Sequence, residues 1–152
     1  MPRPGTARNQ VCERSEGEGF PPVKLELTDK TTRNGTILWR VAEAVTVNVA
    51  GQRFEIPEGF HTDFASCPRL VQPFLCERAI RSLPSVAHDF LYFQGTPKRI
   101  ADAVFYELLA EMKGVPRWQR WVMFKAVEWF GDAAYNAHRR KGHPQKNVNR
   151  FD

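Results

Sequence analysis

The chain has 152 residues, of which 42% are hydrophobic and 26% charged, a balance typical of one folded domain rather than of a disordered chain. No apolar run approaches the length of about 20 residues that a membrane-spanning helix needs, so we expect no membrane span. The first ten residues lack the apolar stretch of a secretory signal. The three cysteines are too few and too widely spaced for a disulfide framework, so we expect reduced thiols.

The formal net charge of +5 comes mostly from the C-terminal end, where residues 139–152 hold five basic side chains and one acidic one. We predict three regions: an extended or disordered arm over residues 1–20, a single domain over residues 21–137 and a basic tail over residues 138–152. No helix-turn-helix, zinc-finger or RNP pattern is visible in the sequence. Nucleic acid is therefore an expected partner only through the basic tail.

Four β-segments are predicted in the first half of the domain, because apolar and polar residues alternate there. The segments are residues 23–27, 36–41, 45–49 and 53–56. Residues 50–52 are predicted to form the turn of a hairpin. The Pro-Glu-Gly sequence at residues 57–59 is predicted to end the last strand.

After about residue 76 the apolar residues recur with the period of a helix, and three helices are predicted. Pro84 suits the first turn of the first helix and Gly95 its end. Thr96 is predicted to be the N-cap of the second helix and Gly114 its C-cap, and Pro116 opens the third. The predicted fold class is therefore α+β, a small antiparallel sheet of about four strands followed by three helices.

The third predicted helix is apolar on all sides, which is unusual for a helix on a free surface. Its large apolar residues include Trp118, Trp121, Phe124 and Phe130. We therefore predict that this helix is largely buried or lies against a partner.

Polar residues suited to chemistry lie on the first two helices and in the loop before them. His88 and Tyr92 are four residues apart and share one side of the first helix, and Asp102 lies at the edge of the apolar stripe of the second. A carboxylate there could accept a hydrogen bond from the imidazole, forming a dyad in which the histidine takes a proton from water. We predict His88, Asp102 and Tyr92 as catalytic residues, and Asp63 and Asp89 as ligands of a hard divalent cation such as calcium.

Each of these residues also has a structural interpretation, which the sequence leaves open. His88 could connect the sheet to the helices as a buried polar residue, and Asp102 could be a surface carboxylate favoured by the helix dipole. Asp63 and Ser66 could cap backbone N–H groups in an exposed turn.

Three polar strings, in order and spacing, resemble a small family of uncharacterised proteins from tailed phages and prophages. The strings are Gly-Phe-x-Thr-Asp-Phe-Ala-Ser-x-Pro at residues 59–68, His-Asp-x-Leu-Tyr at residues 88–92 and Ala-Asp-x-x-Phe at residues 101–105. The resemblance covers about residues 54–131 and implies a virion-associated protein of the tail, baseplate or neck. It implies synthesis in the cytoplasm of a bacterial host, then a place in the phage virion with other phage structural proteins as partners. The family brings no established activity.

The His-Asp-x-x-Tyr string at residues 88–92, followed by a helix with Asp102, is also loosely similar to secreted phospholipase A2. That similarity implies His88 as the base, Asp89 as a calcium ligand and Asp102 as the support of the histidine. The glycine-rich calcium loop and the disulfides of that family are absent from the sequence. The polar residues of the two helices thus leave one alternative to a structural role. It is a small metal-dependent hydrolase that uses a His88/Asp102 dyad on envelope lipid, cell wall or a phosphoester.

Overall fold

The computed structural model describes residues 23–33, 35–49, 51–64, 70–75, 80 and 82–140. The predicted arm, Ser66, the three cysteines and the predicted tail beyond residue 140 lie outside the described residues. The described strands are β1 (Leu25–Thr31), β2 (Ile37–Val41), β3 (Val45–Val49), β4 (Gln52–Ile56) and β5 (His61–Thr62), and the α-helices are α1 (Leu83–Phe93), α2 (Lys98–Glu111) and α3 (Arg117–Arg140). A short 3₁₀ helix covers Gln72–Phe74. This arrangement confirms the predicted α+β class.

The strands form two small antiparallel sheets, one of three strands in the order β1-β2-β5 and one of β3 and β4. The sequence did not predict β5, because a strand of two residues shows no alternation. It forms because Thr62 pairs with Trp39 of β2. β1 runs to Thr31, beyond its predicted end, because its pairing with β2 continues to Ile37 past an irregularity.

The hairpin of β3 and β4 forms as the alternation predicts, with Val45 opposite Ile56 and Val49 opposite Gln52. Gly51 in its turn has a φ of +75°, which suits glycine better than other residues. The inward positions of the two strands are buried in the main hydrophobic core and are Val45, Val47, Val49, Phe54 and Ile56. This core lies between the hairpin and helices α1 and α2.

Helix α1 is the central element, since every residue from Leu83 to Tyr92 is buried. It ends at a glycine as predicted: Gly95 has a φ of +77°, and the backbone N–H of Thr96 donates to the carbonyl of Leu91 at 3.0 Å. Helix α2 begins one residue later than predicted, because Pro97, with φ −51° and ψ 133°, occupies the N-cap position in place of Thr96.

Helix α3 buries only one side, which includes Met123, Ala126 and Val127. Met123 and Val127 belong to a second core cluster with residues of α2. It continues to Arg140, into the predicted basic tail. Trp118 and Trp121 are 53% and 58% exposed, so of the two outcomes predicted for this helix, burial within the domain does not hold at these residues. The other predicted outcome, contact with a partner, stays a prediction.

Candidate functional site

The predicted histidine and tyrosine meet on the inner side of α1. His88 and Tyr92 stand one helical turn apart, with ring centroids 4.0 Å apart. The His88 side chain is fully buried and Tyr92 is 1% exposed. Phe105 of α2 also packs against the imidazole, with 4.8 Å between the ring centroids. Because both side chains carry polar groups in an apolar surrounding, each needs a hydrogen-bond partner nearby.

Asp102 of α2 supplies that partner. Its Oδ1 lies 2.7 Å from His88 Nε2 and accepts a hydrogen bond of the same length from the Tyr92 hydroxyl. Its Oδ2 accepts a hydrogen bond of 2.6 Å from Lys98 Nζ, one turn earlier on α2. We call His88, Tyr92, Lys98 and Asp102 the Asp102 cluster. The hydrogen bond between imidazole and carboxylate across the helix pair is the one that the sequence predicted.

The electrostatics of the cluster decide which groups donate. Burial acts to raise the pKa of the Asp102 carboxyl, but the hydrogen bonds from His88, Lys98 and Tyr92 outweigh it and lower that pKa. Asp102 is therefore ionised at neutral pH and can only accept, so His88 Nε2 is the donor in their hydrogen bond. Burial, followed by the hydrogen bond to Asp102, raises the pKa of the Tyr92 phenol far above its ordinary value. Tyr92 is therefore a permanent neutral donor.

A second buried polar contact connects β5 to α1. The Thr62 hydroxyl donates to Oδ2 of Asp89, and both residues are 3% exposed. The same hydroxyl accepts a hydrogen bond of 3.2 Å from the backbone N–H of Phe64, whose φ is +54°. This contact therefore sets the direction of the chain where it leaves the three-stranded sheet.

The structure thus places the five predicted site residues in two groups. His88, Tyr92 and Asp102 belong to the Asp102 cluster, whereas Asp89 faces the end of β5 through Thr62. Asp63 follows Thr62 directly and is partly buried. Among the described residues no three His, Cys, Asp or Glu side chains are arranged to hold a metal ion. The calcium site at Asp63 and Asp89 therefore stays a prediction, as do the catalytic roles.

Sequence reasoning missed two residues that contribute to the cluster. Lys98 was detectable, because a lysine four residues before an aspartate on one helix is a common ion pair. Gly131 of α3 was not. A Cβ at this position would lie 2.8 Å from the Tyr92 hydroxyl, so any other residue here would require Tyr92 or α3 to shift. Lys98 also lies 3.8 Å from Asp132 on α3, which brings all three helices to this point.

Two grooves on the described surface lie away from the cluster. One, of about 760 Å³, separates the second half of α2 from the first half of α3; we call it the α2–α3 groove. The other, of about 470 Å³, lies between α2 and the start of β4. No member of the Asp102 cluster lines either groove. The residues of the α2–α3 groove that matter below are Tyr106, Arg117, Trp118, Arg120, Trp121 and Phe124.

These features define a small α+β protein with a saturated polar cluster at its centre and exposed aromatic residues on its last helix. Residues 39–127 match the family described as protein of unknown function (DUF1353), and the chain belongs to that family. The matched region contains the whole Asp102 cluster and the α2–α3 groove, whereas Gly131 and Asp132 lie beyond it. No curated protein and no solved structure matches the chain. None of the helices in the described ranges has the length and hydropathy needed to span a membrane.

Proposed function

We propose that this protein is a virion-associated component of a tailed phage, in the tail, baseplate or neck, and that it binds other structural proteins of the particle. One observation carries the proposal: three tryptophans of α3, Trp118, Trp121 and Trp129, are 53%, 58% and 66% exposed. At 3.6 residues per turn they fall within about 80° around the helix axis and so form one face. Exposed aromatic residues grouped in this way are typical of protein interaction surfaces.

The phage context is supported by the three strings at residues 59–68, 88–92 and 101–105, which resemble those of tailed-phage proteins. All three lie within the region that matches the family. In this proposal the chain is made in the cytoplasm of a bacterial host and then enters the virion.

The Asp102 cluster has a structural role in this proposal. His88 and Tyr92 come from α1, and Lys98 and Asp102 from α2. A partly buried carboxylate with three donors is satisfied where it stands, so the cluster holds the two helices in one arrangement. That arrangement presents the exposed face of α3 in a fixed orientation.

Mass spectrometry of purified virions tests the proposal. Particles of a phage that encodes this chain should contain it in a fixed number of copies relative to the major capsid protein. A phage replication protein measured in the same samples gives the level of contamination. If the chain is no more abundant than that protein, the proposed function is wrong.

A complementation experiment tests the observation behind the proposal. A variant with Trp118→Ser, Trp121→Ser and Trp129→Ser should fold normally by circular dichroism and fail to enter virions. Leu27→Ser is the matched control, because Leu27 is 61% exposed on β1 and lies on another part of the fold. Normal incorporation of the triple variant would show that the tryptophan face is not the binding surface.

A second candidate function is a small hydrolase, supported by the hydrogen bond of 2.7 Å between His88 and Asp102. A catalytic imidazole must reach water or substrate, and His88 is fully buried, so this function needs the helix pair to open. The test compares the wild type with His88→Gln on phospholipid, peptidoglycan and phosphodiester substrates. Activity that is lost in His88→Gln while the fold is kept would favour the hydrolase; equal, background-level turnover by both would exclude it.

A further inference from the structure

We propose that the α2–α3 groove binds an acidic peptide segment of a partner protein, with at least one carboxylate next to an aromatic or large aliphatic side chain. This inference rests on the proposed function, because it names the class of partner that the exposed face of α3 receives. It is carried by the two kinds of residue that line the groove, aromatic rings and arginines.

The aromatic rings form the apolar part of the groove. Tyr106 of α2 and Phe124 of α3 pack edge to face with ring centroids 5.0 Å apart, which fixes the distance between the two helices here. Trp118 and Trp121 stand beside them on α3 and are more than half exposed. A groove of about 760 Å³ lies in the size range of sites that take up several side chains. The apolar anchor of a peptide would bury itself against these rings.

The two arginines form the charged part. Arg120 Nη1 donates to the carbonyls of Leu109 and Ala110 at 3.3 and 3.2 Å, so the last turn of α2 holds the guanidinium in place. Its Nε is buried and has no hydrogen-bond partner among the described residues. Arg117 is exposed at the first position of α3, where the helix dipole adds to its positive potential.

No carboxylate lines the groove among the described residues, so a ligand with negative charge complements it. A guanidinium that is already positioned loses little freedom when it binds a carboxylate, and its planar donors suit that group. The groove therefore favours a ligand that combines a carboxylate with an apolar side chain.

The charges around the groove favour a peptide over a nucleic acid or a membrane surface. Further along the exposed face of α3, Lys125 already pairs with Glu128 at 2.7 Å, and Asp132 follows one turn later. A phosphate backbone or an anionic bilayer needs positive charge over a longer distance than two arginines supply. A two-fold dimer through the groove is also disfavoured, because it would bring together two linings that contain arginines and no carboxylate.

The experiment uses the full-length protein and a library of random 12-residue peptides displayed on yeast. Selection should enrich peptides in which Asp or Glu stands beside Phe, Trp, Tyr or Leu. The tightest selected peptide is then synthesised with a fluorescent label and titrated by anisotropy. No enrichment, or enrichment of peptides without a carboxylate, would overturn the proposal.

Matched variants locate the binding. Arg117→Glu should weaken the labelled peptide by about tenfold or more, whereas Lys113→Glu, an equal change of charge outside the groove, should leave it within about twofold. Trp118→Ala should weaken it similarly, whereas Phe130→Ala, which removes a half-exposed ring on the same helix outside both the groove and the tryptophan face, should not. A peptide with Lys in place of its carboxylate should bind Arg117→Glu better than it binds the wild type.

Two other probes are measured against the same protein. The probes are a 20-nucleotide single-stranded thymidine oligomer and phosphatidylglycerol vesicles. The proposal is wrong if either binds more tightly than the selected peptide. It is also wrong if the test and control variants lose equal peptide affinity. These measurements use isolated protein, so their failure leaves the virion experiment unaffected. Absence from virions together with selective peptide binding would refute only the proposed function.

Discussion

Replacing Asp102 by alanine should destabilise the fold strongly. The substitution removes the acceptor of two donors that have no access to water, His88 Nε2 and the Tyr92 hydroxyl. Each buried donor left without an acceptor costs about 1–3 kcal/mol. Lys98 is 22% exposed and can turn to solvent, so its lost ion pair adds little.

The two donors together predict a loss of about 4 kcal/mol in the free energy of unfolding. For a chain of this size that corresponds to a decrease in Tm of about 12 °C. Asp102→Asn should lie between the wild type and Asp102→Ala, because the amide keeps one acceptor oxygen but loses the charge.

Urea unfolding followed by tryptophan fluorescence measures the change, with the m-value as a check that the unfolded state is the same. Asp132→Ala is the control: Asp132 is 75% exposed and lies 3.8 Å from Lys98, so its removal should cost less than about 0.5 kcal/mol. A loss below about 1 kcal/mol for Asp102→Ala would refute the reasoning, because His88 and Tyr92 would then have other acceptors.

Three further predictions concern the Asp102 cluster and the contact between Thr62 and Asp89. Gly131→Ala should destabilise the fold by about 1–3 kcal/mol, because its Cβ would lie 2.8 Å from the Tyr92 hydroxyl. In a double-mutant cycle, adding Tyr92→Phe to the same chain should recover part of this loss. Thr62→Val should lower the free energy of unfolding in urea by about 1.5–3 kcal/mol, because it removes the donor to Asp89. Thr62→Ser keeps the hydroxyl and should cost much less. Equal losses in the two variants would contradict the role of the Thr62 hydroxyl as donor. The folded state lowers the pKa of Asp102 from 3.8, so the unfolded chain binds its proton first as the pH falls. The stability that this carboxylate contributes is therefore complete above pH 3.8 and is lost as the pH falls toward the lowered pKa. The difference in unfolding free energy between the wild type and Asp102→Asn should therefore shrink below about pH 4, and a difference independent of pH would contradict the assignment.

Local chemistry explains the features that the sequence predicted correctly. Apolar residues alternate in β3 and β4, so one face of each strand is apolar. In an antiparallel hairpin the two backbones hydrogen-bond to each other and the apolar faces are buried together. Gly95 ends α1 because glycine adopts the left-handed conformation found there without the strain that other residues would have. The spacing of His88 and Tyr92 placed them on one side of a helix, and the edge position of Asp102 brought a carboxylate within their reach.

Contacts between distant segments explain what the sequence did not predict. The two residues of β5 become a strand because β2 provides a partner, and Thr62 meets Asp89 because the chain turns at Phe64. Gly131 is required only because α3 crosses α1 beside the Tyr92 hydroxyl. None of these distances is encoded in a periodic pattern.

The sequence by itself determined the class of fold, the order of its main elements and the placing of His88 and Tyr92 on one side of a helix, because these depend on residues within one or two turns. Only the tertiary structure decided that His88 is fully buried and that Trp118 and Trp121 face solvent. The pattern of hydrophobic residues along a helix looks the same whether the apolar face is buried or exposed to solvent. Which face is covered depends on the packing of whole helices, and that packing leaves the polar cluster inside and the aromatic face of α3 outside.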